Sequence, residues 1–410
     1  VSLHGGGQSN AVYANDYDGA LLNMSQAVAF YLGSPSAITQ SSNGNTEIGG
    51  CGSYEDIAGY AYYLTNTAGL TQSAAASASL SANGALYIGF LNGLTSPQKS
   101  AINAIVWYWG ETDSVMYAQS TKAVVKAALI NLATQVRAAI GKSAAALPLI
   151  LFGPPYVSGN GAMTMREVWA ELAADPAQNA VWAVRQTYDT ISRNDTWNAS
   201  TGVASGGNTD GGHRAAIDNI ALYKRGAIAV SRAILASNGL SASLIPPALG
   251  TGLGPQISGA ALSGAMLTVT IEHDGGTDLI VPLLASGGVG FAVMDGGTIA
   301  SPGNIIQATA CARLDATHLS VTLASAPTNA AASCRLMYPY PGEYWTAQPD
   351  TEIGRGCAVT DNFASVAKPS GFDINATLGA GWAANVPLGS PVALTGSGSS
   401  AVAEYGLALS

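Results

Sequence analysis

Residues 1–10 read Val1-Ser2-Leu3-His4-Gly5-Gly6-Gly7-Gln8-Ser9-Asn10. A short apolar step runs straight into three glycines, and glycines allow the backbone to turn sharply as it leaves a strand. The pattern predicts a strand, a tight turn and a helix beginning behind it, with the Ser9 hydroxyl standing at the end of a sheet. A serine held in that way is a candidate nucleophile, although a serine in a glycine turn can also be a plain helix N-cap.

A free hydroxyl is a weak nucleophile and needs a base, which in turn needs a carboxylate to orient it. The chain holds four histidines, at His4, His213, His273 and His318. His213 closes the turn Asp210-Gly211-Gly212-His213, directly ahead of a helical pattern, so one short segment supplies both an acid and a base. Asp210 could instead cap the helix that follows. Ser9, Asp210 and His213 give a hydrolase triad in the order Ser, Asp, His. His4, inside the short first strand, reads as structural, and His273 and His318 lie far downstream in a β-rich region.

Three segments together resemble a known family. Gly7-Gln8-Ser9-Asn10 resembles the first block of the SGNH (GDSL-like) hydrolases, in particular the sialate O-acetylesterase and carbohydrate acetylesterase branch. Asp210 to His213 resembles the last block, and Trp109-Gly110-Glu111-Thr112-Asp113 resembles that branch's Gln-Gly-Glu-Ser-Asp segment. The resemblance covers roughly the first 240 residues. It implies a three-layer α/β/α domain with a parallel sheet, and an acyl-enzyme mechanism that needs no metal or cofactor. It also implies a substrate class, an acetylated carbohydrate or exopolysaccharide.

The same resemblance implies oxyanion donors, because the transition state of ester cleavage puts negative charge on the former carbonyl oxygen. The Ser9 N–H is one. A second is a glycine after the second strand, for which Gly44 is the match. The third departs from the family pattern, since Trp109 stands where the branch has Gln and Thr112 where other members have Asn. Asn45 and the Thr112 hydroxyl are the nearest substitutes. Trp109, at a strand end, is a candidate for stacking on a sugar ring, with core packing as the alternative. Glu111 and Asp113 read as supporting or capping groups.

Along the chain, residues 1–240 alternate strand-like and helix-like patterns, the signature of a parallel sheet covered by helices. Strands are expected over 37–41, 104–109 and 147–152, and helices over 18–32, 54–65, 122–140, 177–193 and 215–236. Residues 241–256 turn to Gly, Pro, Ser and Leu and read as a linker. Over 257–410 the period becomes two, as in Met266-Leu267-Thr268-Val269-Thr270-Ile271, which predicts a smaller antiparallel β-sandwich-like domain with a C-terminal tail.

The 410 residues are 48% hydrophobic and only 10% charged, with a net charge of -9. That composition fits a packed, β-rich protein rather than a disordered one. The negative charge argues against nucleic acid as a partner. No apolar run approaches the roughly 20 residues that cross a bilayer, so membrane insertion is not expected. The start at Val1 is compatible with removal of a leader, and the expected location is secreted or periplasmic. Four cysteines, Cys51, Cys311, Cys334 and Cys357, lack zinc-site spacing. In an exported chain they favour disulfides, with Cys311–Cys334 and Cys51–Cys357 as the pairing, against free buried thiols.

Three other readings stay open. The same triad could run as an O-acetyltransferase, or the chain could be a polysaccharide-binding or assembly protein that keeps the fold with weak catalysis. A nucleotide-binding reading of Gly5-Gly6-Gly7 lacks the Gly-Lys-Ser/Thr of a phosphate loop.

Overall fold

A computed structural model describes residues 1–7, 9–33, 46–48, 64, 70–110, 122–153, 161–185, 187, 196–198, 203–205, 213–281, 290–298, 302–338, 359–363, 392–395, 402–405 and 407–410. In chain order the first part contains β1 (Ser2–Gly7), α1 (Ser9–Val12), a π-helical turn (Tyr13–Tyr17), α2 (Ala20–Leu32) and β2 (Thr46–Ile48). It continues with α3 (Gln72–Ala75), α4 (Ala82–Gly93), α5 (Ser96–Ala101), β3 (Ile102–Tyr108), α6 (Lys122–Ile140), β4 (Leu149–Phe152), α7 (Gly161–Ala174) and β5 (Ala180–Val184). A hairpin of β6 (Thr196–Asn198) and β7 (Val203–Ser205) precedes the long α8 (Ala216–Ser237).

Strands β1 to β5 form one parallel sheet in the order β2-β1-β3-β4-β5. Its strands are apolar on both sides because helices cover both faces. On β3, Ala104, Val106 and Tyr108 point toward α2 and α8, while Ile105 and Trp107 point toward α4, α6 and α7. On β4, Ile150 and Phe152 join the first side and Leu149 and Leu151 the second. This is the period-two alternation of a strand, read twice in adjacent strands.

The 19-residue α6 is apolar enough, by length and composition, to cross a membrane. Here Val125, Leu129, Leu132 and Val136 bury it against the sheet.

Two expectations for this region change. The described part of the helix expected over 177–193 is not helical: Ala180–Val184 is strand β5, a largely buried Ala-Val-Trp-Ala-Val run whose β-branched and aromatic members suit a sheet. The helix comes earlier, at α7, where Met165, Val168, Trp169 and Leu172 recur at helical spacing and are all buried. The strand expected over 37–41 lies outside the described residues, as does nearly all of the helix expected over 54–65.

The chain between α8 and the second sheet is packed rather than loose. Ile245 and Leu249 are buried against α8. The Asp274 carboxylate accepts hydrogen bonds from the backbone N–H groups of Thr251, Leu253 and Gly254 and from the Thr251 hydroxyl.

The second part holds β8 (Gln256–Ser263), β9 (Met266–Glu272), β10 (Leu279–Ile280), β11 (Ala292–Gly297), β12 (Pro302–Arg313), β13 (His318–Leu323), β14 (Cys334–Met337), β15 (Thr360–Asp361), β16 (Val392–Thr395), β17 (Val402–Tyr405) and β18 (Leu407–Ala408). Seven of these make one antiparallel sheet in the order β18-β14-β11-β12-β13-β9-β8. The long β12 pairs with β11 through its first half and with β13 through its second, so the sheet bends along it. Its edges then meet: Leu262 N–H donates to the Ser410 carbonyl at 2.9 Å and Ser410 N–H to Ala260 at 3.2 Å. Among the described residues this curled sheet encloses one core, to which the separate β10–β15 pair adds Leu279. The hairpin β16–β17 leaves this sheet and lies against α7 of the first part.

Cys311 and Cys334 are both free, which corrects the pairing expected between them. They are not on neighbouring strands, because β11 lies between β12 and β14. Burial pushes the Cys311 thiol up to about 12, and it also raises the Cys334 thiol, helped by the Asp295 carboxylate on which that thiol rests. Cys51 and Cys357 lie outside the described residues.

Candidate active site

Strand order fixes where an open sheet of this kind can bind. The chain goes from β1 outward to β2, then crosses back to β3 on the other side of β1. That reversal leaves a crevice between the carboxyl ends of β1 and β3, the usual ligand position in such sheets. Ser9 begins α1 two residues after β1 ends, so the candidate nucleophile enters at this crevice.

The glycines explain how it gets there. Gly7 has φ +142° and a Cβ on it would fall 1.9 Å from the Tyr108 carbonyl oxygen at the end of β3. No side chain fits at that separation, so the chain can leave β1 pressed against β3 only with glycine. At Gly6 the space for a Cβ is taken by the Trp107 ring, at 2.5 Å.

The segment after Ser9 is fastened to the segment around His213, although the two are about two hundred residues apart in the chain. Asn10 Oδ1 accepts a hydrogen bond from the Arg214 backbone N–H at 2.9 Å, and both residues are 1% exposed. The Tyr13 ring meets the His213 ring edge-on, with centroids 4.6 Å apart at 62°. One turn further on, Asn219 Nδ2 donates to the Asp18 carboxylate at 2.9 Å. Helices α2 and α8, which continue these two segments, pack along each other. The fold therefore places the backbone of Ser9 and the half-buried ring of His213 on adjoining turns at one crevice.

The other histidines are used elsewhere. His4 is buried, hydrogen-bonded through Nε2 to the Tyr87 hydroxyl at 2.7 Å and stacked on that ring. His273 Nε2 bonds the Ala316 carbonyl at 2.7 Å, and His318 Nδ1 meets Asp315 at 2.9 Å, both in the second part of the chain.

The far side of the crevice is filled. Trp169 Nε1 donates to the Phe152 carbonyl at 3.1 Å and Trp182 Nε1 to the Gly153 carbonyl, 2.6 Å away, so indoles occupy the carboxyl end of β4. The Arg166 and Arg185 guanidiniums lie over the Trp182 ring at 4.8 and 5.5 Å. Burial, reinforced by the neighbouring Arg166 charge, pulls Arg185 down to about 10, still charged at neutral pH.

The chain has no match among protein-family models and none among curated proteins. Among solved structures one match is a carbohydrate acetylesterase from Xanthomonas citri. It is 15% identical, covers 86% of this chain and 77% of the other, and has a TM-score of 0.46. At that identity and TM-score no residue role or activity transfers from it.

Other residues singled out in the sequence are placed as follows. Asp210 and Thr112 lie outside the described residues, as do Glu111 and Asp113. So do Gly44 and Asn45, but the sheet register bears on them. β2 is Thr46–Ile48, with Thr46 opposite Ser2 and Ile48 opposite His4. Gly44 and Asn45 precede β2 in the chain, and the strand expected over 37–41, which they would follow, lies outside the described residues.

Trp109 is also reassigned. It is 0% exposed, with its ring 5.0 Å from Trp169 and tilted 31° to it, on the side of the sheet that α7 covers. A ring packed there cannot offer a face to a sugar.

Asn10 and Tyr13 carry the site's architecture and were not singled out by sequence. Asn10 stands beside Ser9 in the quoted motif, and Tyr13 falls four residues after Ser9, on the same helical face. Among the described residues no three His, Cys, Asp or Glu side chains gather as a metal site.

Proposed function

We propose that this protein is a serine esterase of SGNH type that removes O-acetyl groups from a carbohydrate. One observation carries the reading: the buried hydrogen bond from Arg214 N–H to Asn10 Oδ1, which holds the Ser9 turn against the His213 turn at the sheet's switch point. A serine and a histidine brought together from opposite ends of an α/β domain, at the place where such domains bind ligands, suit nucleophile and base.

In this mechanism His213 takes the Ser9 proton as the hydroxyl attacks the acetyl carbonyl. The Ser9 N–H, with Gly44, Asn45 and Thr112 as the further candidate donors, receives the oxyanion. His213 then gives its proton to the departing sugar oxygen, and water enters by the same route to release acetate. Asp210, three residues before His213, orients the imidazole and stabilises its protonated form. The sugar class rests on the motif resemblance, and the low charge of the chain accords with action on polysaccharide outside the cytoplasm. A sugar hydroxyl in place of water would turn the same steps into acetyl transfer.

The test is labelling by a fluorophosphonate, with the modified peptide located by mass spectrometry, alongside hydrolysis of p-nitrophenyl acetate. Label on Ser9, and a fall of about 10⁴-fold in Ser9→Ala and His213→Ala, are expected. A wild-type protein that is unlabelled and no faster than Ser9→Ala would reject the esterase and leave a carbohydrate-binding protein in its place.

A further inference from the structure

The turn that follows Ser9 departs from a regular α-helix. Tyr13–Tyr17 is π-helical, closed by Asp18 N–H donating to the Tyr13 carbonyl, five residues back, at 2.8 Å. Single π turns inside helices give up regular hydrogen bonding and recur at functional sites. Here the widened turn sets Tyr13 and Tyr17 side by side: their rings lie 5.7 Å apart at 45°. Tyr13 in turn meets His213 at 4.6 Å. Three rings thus form a row that begins at the candidate base and runs outward.

The outermost ring is 68% exposed, one of the most open large apolar side chains among the described residues. An aromatic ring left in water, one ring away from the candidate base, has a cost that a ligand can remove. Because Tyr13 already supports it from behind, Tyr17 has less rotamer freedom to lose when something stacks on its free side. A tyrosine suits a partner that is apolar on one face and hydroxylated at its rim, since its own ring is apolar and its edge polar.

We propose that Tyr17 is the substrate-stacking residue of this site, the ring on which the acetylated sugar lies while its ester faces Ser9 and His213. This rests on the esterase reading above and supplies what Trp109, closed off in the core, cannot. It also narrows the leaving group to one carrying a flat-faced ring, in preference to an open-chain alcohol.

The experiment compares wild type, Tyr17→Ala and Tyr17→Phe on xylose tetraacetate and on ethyl acetate, following acid release. The quantity read is the ratio of kcat/KM for the sugar to that for ethyl acetate. Stacking of this kind predicts a fall of about tenfold in that ratio for Tyr17→Ala, located in KM for the sugar, and its recovery in Tyr17→Phe. An unchanged ratio in Tyr17→Ala, or loss in Tyr17→Phe as large as in Tyr17→Ala, overturns the proposal. Saturation-transfer NMR of the same sugar with Ser9→Ala, and with Ser9→Ala/Tyr17→Ala, reads binding without turnover. Binding that Tyr17→Ala abolishes, in a protein that hydrolyses neither ester, would sink the esterase and keep the stacking ring. No binding by Ser9→Ala would sink the stacking ring alone, whatever the esterase does.

Discussion

Replacing Asn10 with alanine tests whether the fold assembles a catalytic site or only a stable turn. Asn10 Oδ1 is the acceptor for Arg214 N–H at 2.9 Å, in a place where both residues are 1% exposed. Water cannot readily replace the lost carbonyl, so a buried backbone donor is stranded. Stranding a buried donor costs about 1–3 kcal/mol, and the vacated amide volume adds to that. A second effect is separate from stability. His213 is the residue before Arg214, and its backbone is held toward Ser9 through this bond. A shift of about 1 Å in a reacting group can cost on the order of 100-fold, so kcat should fall by roughly 10- to 100-fold with KM little changed. The control is Asn131→Ala, which removes bonds from Asn131 Nδ2 to the carbonyls of Ala75 and Ala78 on the far side of the sheet. Urea midpoints and p-nitrophenyl acetate kinetics are measured for both variants. Both should lose stability, but only Asn10→Ala should lose turnover beyond its loss of folded protein. If the two variants keep the same kcat, the Asn10–Arg214 bond serves the fold only, and the argument from it to a catalytic pair fails.

What could be read in the sequence, and what could not, follows from the range of the interactions involved. β1, β3 and β4 are short apolar runs ended by glycine, and local composition is enough to find them. β5 misled because Ala180–Val184 sits among alanines that suit a helix, and only burial on both sides decides for a strand. The period in Met165, Val168, Trp169 and Leu172 did carry α7 and could have been found. Trp109 was half legible: period two puts it on the Trp107 side of the sheet, but no local pattern says that Trp169 waits there. The register of β2 is likewise a property of pairing with β1, which a single sequence does not display. Asn10 and Tyr13 lie at the far limit. Their partners, Arg214 and His213, are about two hundred residues away, and nothing in a single sequence joins them.

Two further predictions concern stability. Gly33 has φ +55° with open space around it, whereas Gly7 combines φ +142° with a Cβ position 1.9 Å from the Tyr108 oxygen. Gly33→Ala should therefore cost only the left-handed strain of about 1 kcal/mol, and Gly7→Ala at least about 3 kcal/mol, since β1 and β3 must part. Equal urea midpoints would refute the close approach. Lys224 supplies the second: it is 4% exposed, and burial pulls its pKa down from an ordinary 10.5 to about 8. The folded state releases this proton more readily than the unfolded chain does. Between about pH 8 and 10.5 the unfolded chain thus binds more protons, and this group's contribution to stability rises with pH across that window. Below it, the charged form is a liability of roughly 1–2 kcal/mol once solvent screening is allowed for. Lys224→Met should therefore stabilise the protein at pH 7, and the gain should shrink as the pH passes from 8 toward 11. A gain that stays constant across that range would show that packing, and not the buried charge, sets the difference.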